Sequence, residues 1–156
     1  MKKPSFYISC PFDTYSGYGA RSRDIVKAII ELDKYDVKLL SQRWGNTPFG
    51  FTKDHEDWQF LDEHRVQGVA QGQKPDIWMQ ITIPSEFQPI GKYNIGCTAG
   101  IESTGCDHTW IEGLNRMDMN WVSSRHSKKV FTEVGFEQKD QQGRTTGHVL
   151  KTQKPI

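Results

Sequence analysis

The chain has 156 residues, 12% of them aromatic, which is enough for one core-bearing domain, or half of a two-domain enzyme, without disulfide or metal staples. Its formal charge is +1, from 20 Lys plus Arg against 19 Asp plus Glu, so there is no basic footprint for nucleic acid or an anionic membrane surface, and any phosphate has to be met by local groups. Cys10, Cys97 and Cys106 are odd in number and lack framework spacing, and the apolar run after Met1-Lys2-Lys3 ends at Pro11 and Asp13. Reduced thiols in a cytoplasmic protein, with neither a secretion signal nor a membrane span, are the expectation.

In chain order, Ser5–Cys10 reads as a short buried strand. Behind it Gly17 and Gly19 open a helix over about Gly19–Leu32, whose apolar stripe Ile25, Val26, Ala28, Ile29, Ile30 and Leu32 is broad enough for a buried face. Further strands are expected at Val37–Ser41, Asp76–Ile81, Asn94–Thr98 and Asn120–Val122. Helices are expected at about Glu56–Val66, Thr109–Asn115 and Arg125–Val134, the last closed by Gly135 in the C-cap position. Gln42–His55, with Trp44, Gly45, Pro48 and Gly50, has loop composition and belongs at the carboxyl edge of the sheet. Alternating strands and helices predict an α/β fold with a Rossmann-like parallel sheet and helices on both faces. Residues 137–147 are polar and aperiodic, as in a hinge, and an apolar fragment follows at Val149-Leu150 and Lys154-Pro155-Ile156.

The two glycines fit no strong nucleotide signature. A dinucleotide fingerprint needs G-x-G-x-x-G tight against its strand and an acidic residue at the end of the second strand. Here Ser22 takes the third glycine position, and the second strand ends Ser41-Gln42-Arg43. Arg43 would suit a 2′-phosphate, which keeps an NAD(P)-binding oxidoreductase fragment open as an alternative. No P-loop occurs. Gly17 and Gly19 therefore serve either a tight strand-to-helix turn or the close approach of a phosphate or sugar to backbone amides, with Arg21 or Arg23 supplying charge.

A second stretch narrows this choice. In Asn94–Phe136 a strand ends in Cys97-Thr98-Ala99-Gly100, Glu102 follows in a loop of Gly, Ser and Thr, Trp110 begins a helix, and a strand through Trp121-Val122 ends in the hydroxyls of Ser123 and Ser124. The order "SGYGARSRDIV", "DIWMQITIPSEF", "NIGCTAGIEST", "W", "MDMNWVSS" and "VFTEVGF" resembles the N-terminal, acceptor-side domain of retaining GT-B glycosyltransferases of the group 1 (family 4) type, over about Pro4 to Phe136.

The resemblance implies one half of a GT-B architecture. Residues 1–136 would form the N-terminal domain, and 137–156 a hinge toward a C-terminal donor domain or partner chain that holds most of the nucleotide-sugar. Alone, such a half is expected to be catalytically incompetent. The resemblance places Gly17, Tyr18 and Gly19 beside the donor diphosphate with Arg21 assisting. It makes Glu102 the catalytic acidic residue near the acceptor hydroxyl or transferred sugar. His108, six positions further on, is nearest to the histidine that many relatives carry. Trp44, Thr98, His108, Ser123 and Arg125 are the acceptor-side candidates, the acceptor itself being unknown, and neither metal nor another cofactor is expected.

Each candidate also has a plainer reading. Glu102 suits a solvated loop carboxylate or a helix-capping partner, and Ser123 suits a plain N-cap. Cys97, Cys106 and His108 lack zinc spacing. Trp78, Trp110 and Trp121 read as core or cleft-wall residues, with Trp44 better placed for sugar stacking. Lys128 and Lys129 read as a solvated helix face. The rival from another class is a non-catalytic interaction or scaffold domain, in which Glu102, Gly17 and Arg21 would be dispersed rather than lining one cleft.

Overall fold

The computed structural model describes residues 2–100 and 103–156. Five short strands, β1 Ser5–Cys10, β2 Asp36–Ser41, β3 Ile77–Ile81, β4 Tyr93–Cys97 and β5 Met119–Trp121, form one parallel sheet in the order β2-β1-β3-β4-β5. Register is set by pairs such as Phe6↔Val37, Phe6↔Ile77, Ile77↔Tyr93 and Ile95↔Met119. The helices are α1 Gly17–Glu31, the one-turn α2 Phe51–Asp54, α3 His108–Arg116 and α4 Arg125–Glu133, with a 3₁₀ segment at Glu56–His64. This is the α/β, Rossmann-like parallel sheet that the strand–helix alternation predicts.

Two apolar clusters lie on opposite faces of the sheet. Successive residues of a strand face opposite ways, and in β3 Met79 belongs to one cluster and Trp78 to the other. Val26 and Ile29 of α1 cover the first face over Ile8, Leu39 and Ile81. Ile111 and Leu114 of α3 and Phe131 of α4 cover the second, with Trp78 and Phe87. Burial on both faces is why these strands read as near-continuous apolar runs.

Several local expectations are corrected. The first helix starts at Gly17, two residues before the expected Gly19, because the Ser16 side chain accepts from the Gly19 amide and caps it. The helix expected over Glu56–Val66 is a 3₁₀ segment ending at His64, since Arg65 and Val66 leave it to pair with β2: Leu39 and Arg65 form a parallel bridge, and the Val66 amide donates to the Leu39 carbonyl at 2.8 Å. Gln42–His55 is irregular only to Gly50, after which α2 forms. Gly135 has no left-handed conformation, and α4 ends at an extended Val134. The polar stretch read as a hinge folds into an antiparallel hairpin, β6 Phe136–Lys139 with β7 Thr145–Leu150. Phe136 and Leu150 pack that hairpin on the second core, and beyond it the Pro155 carbonyl accepts the Asn120 amide at 2.9 Å, laying the last residues along β5.

Candidate functional site

In an open parallel sheet, ligands bind outside the carboxyl ends of the strands, where successive connections depart in opposite directions. From β1 the chain passes to β2 on one side, and β3 then pairs on the other side of β1, so that crevice lies between the ends of β1 and β3. The loop Pro11–Ser16 and the start of α1 stand at this point.

Ser16 satisfies the third amide of α1, Gly19, at 2.9 Å, whereas the amides of Gly17 and Tyr18 meet no acceptor among the described residues. The first amides of a helix point outward along its axis and carry its positive end. A Cβ added at Gly17 would meet nothing within 4 Å, so this glycine leaves open space before those amides. Gly19 is different: a Cβ there would lie 2.4 Å from the Thr14 carbonyl oxygen, which makes it a packing glycine.

Tyr18 reaches across the crevice. Its hydroxyl lies 3.1 Å from Thr98 Oγ1 and accepts the Ala99 amide at 3.1 Å, just past the end of β4. Its ring stacks on Trp44 at 3.9 Å between centroids and 23° between planes. Trp44 is placed by a turn in which its carbonyl accepts the Thr47 amide at 3.1 Å, with Gly45 at φ +52°. Residues from the ends of β1, β2 and β4 thus meet at one spot, and Gly17, Tyr18, Trp44 and Thr98 are together there.

Arg21 is one turn along α1. Its guanidinium is close enough to the Cys97 thiol to act on it electrostatically, and its Nε is buried with no hydrogen-bond partner among the described residues. Burial pushes the Cys97 thiol up, with Arg21 pulling the other way, so the thiol stays protonated at neutral pH. Arg23, the other basic residue of this turn, is committed elsewhere: its Nη1 donates to the carbonyls of Phe12 and Thr14 at 2.9 Å each, and its guanidinium lies 3.4 Å over the Phe51 ring.

The remaining candidates are spread out. Ser123 is not an N-cap; that position is Ser124, which accepts from the Ser127 amide at 3.1 Å, while the Ser123 hydroxyl donates to the Ala99 carbonyl. The Ala99 peptide is thereby held from both sides, by Tyr18 and by Ser123. Arg125 instead borders an open hollow of about 400 Å³ at the end of β5, with Trp121, Lys128 and Ile156. His108 lies against Asp107 and Phe136. Glu102 lies outside the described residues. A further hollow of about 710 Å³ sits at the amino ends of the strands, beside Ser5, Tyr7 and Asp76, away from the crevice. Among the described residues no group of three His, Cys, Asp or Glu side chains is placed to hold a metal ion, and no helix is long and apolar enough to cross a membrane.

A network that the sequence reading did not single out supports the crevice from below. Buried Asp13 accepts from the Thr52 amide at 3.0 Å, from Thr52 Oγ1 at 2.9 Å and from Arg65 Nη2 at 3.2 Å. Burial raises its pKa, but the Thr52 bonds and Arg65 outweigh it and hold the carboxyl below its ordinary value. An acidic residue three positions past a buried strand was the available signal. Comparison with protein-family models, with curated proteins and with solved structures finds no match to this chain.

Proposed function

We propose that the chain is the acceptor-side domain of a GT-B glycosyltransferase, which transfers a sugar from a nucleotide-sugar donor to an acceptor hydroxyl with retention. The observation that carries the reading is the pair of amides at Gly17 and Tyr18 that meet no acceptor among the described residues, open at Gly17, beside the Tyr18–Trp44 stack at the crevice between β1 and β3. Backbone amides at a helix N-terminus suit the negative charge that develops on a departing diphosphate. The face of Trp44 suits a sugar ring, and Thr98, at the end of β4, offers a hydroxyl beside it.

In this mechanism the Gly17 and Tyr18 amides stabilise the leaving diphosphate, and Arg21 adds positive charge from the next turn. Glu102, by the family resemblance, orients the acceptor hydroxyl or accepts hydrogen bonds from the transferred sugar. A donor domain, in the same product or in a partner chain, closes over the crevice and excludes water.

The test is the gene product purified from its native source, weighed intact and then assayed for nucleoside diphosphate release from nucleotide-sugars. Transfer that falls about a hundredfold in Glu102→Gln, with an unchanged circular dichroism spectrum, is the expected result. Near-normal turnover in that variant removes Glu102 from its role. A product that carries a donor domain yet turns over no nucleotide-sugar overturns the reading.

A further inference from the structure

The loop that delivers the Gly17 and Tyr18 amides, residues 11–16, is held mainly by side chains and backbone from the segment 42–65 between β2 and β3. The Phe51 amide donates to the Asp13 carbonyl at 3.2 Å and the Tyr15 amide to the Pro48 carbonyl at 3.1 Å, and Thr14 bridges Phe49 in antiparallel fashion. The Asp13 carboxylate is gripped by Thr52 and Arg65, and Arg65 is itself braced by Asp62 at 2.6 Å and by the Phe12 ring, 4.9 Å from its guanidinium carbon. The same segment supplies Trp44, which stacks on Tyr18. One segment thus grips the approach to the helix start and stacks on its second residue.

From this we infer that Arg65, acting through Asp13 and with Thr52, is a positioning residue for the anion-binding amides of α1: the segment 42–65 sets where Gly17 and Tyr18 present their N–H groups. Arg65 touches neither amide. Its guanidinium fixes the Asp13 carboxylate, Asp13 fixes the loop, and the loop ends in Ser16, the cap of α1. A buried carboxylate with three donors has a single geometry, and loosening one donor lets the loop drift. Displacements of a fraction of an ångström suffice to spoil convergent hydrogen bonds. The inference rests on the anion-binding role proposed for Gly17 and Tyr18 and extends it to how the segment 42–65 positions the same site.

The experiment is an amide-resolved NMR titration of the full chain with inorganic pyrophosphate, which reads Gly17 and Tyr18 directly. The wild-type chain is expected to show saturable shifts at both amides. Arg65→Gln is expected to bind roughly tenfold more weakly, with the amides of β3 and β4 unmoved, and Arg65→Lys to recover most of the loss. A merely structural role would lower the unfolding midpoint without moving that affinity. Thr52→Val, which removes one donor to Asp13 and keeps the ion pair, carries the same expectation at smaller size should Arg65→Gln fail to fold. Unchanged affinity in the folded variants overturns the inference and leaves the anion site standing. No shift at Gly17 and Tyr18 in the wild type overturns the site itself, and the inference with it.

Discussion

Gly17 and Gly19 lie within one turn of each other, yet a side chain at each meets opposite surroundings. At Gly19 an added Cβ collides with the Thr14 carbonyl, which already accepts Arg23, so Gly19→Ala is expected to cost about 1–3 kcal/mol in urea unfolding. Gly17→Ala meets open space and removes a flexible residue from a helix, so stability should hold or rise by a few tenths of a kcal/mol. The methyl group nevertheless intrudes on the approach to two amides, and pyrophosphate binding should weaken. Tyr18→Phe has a third signature: the Ala99 amide and Thr98 lose their partner, a loss of about 1 kcal/mol, and hydrogen exchange at Ala99 should accelerate. In the sequence the two glycines read alike. The pattern shows where a turn is needed, but not which glycine is crowded by a carbonyl brought back from the preceding loop.

Among the elements, the five strands of the parallel sheet were legible almost to the residue, because a strand buried on both faces is an apolar run that periodicity detects directly, whereas the exposed hairpin β6–β7 carries no such run. What remained hidden was the way the segment between β2 and β3 folds back on the first loop. Asp13, Thr52 and Arg65 are 52 residues apart at their extremes, and no local rule couples them. For the same reason the expected helix over Glu56–Val66 stops at His64: pairing of Arg65 with β2 overrides propensity. The Asp13 grip has a pH consequence. Its carboxyl titrates below the unfolded value of about 3.9, so its stabilisation is full above the ordinary carboxylate range and is lost as pH falls through that range toward the folded value. Asp13→Asn should therefore lower the unfolding midpoint at pH 7 and flatten the acid limb of a stability–pH curve. Asp76, held down first by the Ser5 amide, should keep its own share of that limb.

For the molecule as a whole, strand–helix alternation and the parallel sheet followed from composition and punctuation, while the site was only half visible. Gly17, Tyr18, Trp44 and Thr98 meet because the connection from β1 to β2 departs opposite to β3, a property of topology that no window of sequence contains. Arg125 and His108 sit elsewhere because the ends of β5 and α3 lie further along the sheet. The route of the last residues is a long-range fact of the same kind. Removing residues 153–156 takes the Pro155 carbonyl from the Asn120 amide and uncovers β5, and light scattering on concentration should rise relative to the intact chain.

The two borders of the sheet show why. Along β2 the Leu39 carbonyl is taken by the Val66 amide at 2.8 Å and the Val37 carbonyl faces His64 Nδ1 at 3.0 Å; along β5 the Asn120 amide is taken by Pro155. A strand with an unfilled row of donors and acceptors is a template on which another copy can grow. Here the chain's own connections occupy those positions, so the residues that clothe the sheet also guard it against polymerisation. Arg65, whose backbone pairs with β2 while its side chain grips Asp13, ties that safeguard to the mouth of the crevice.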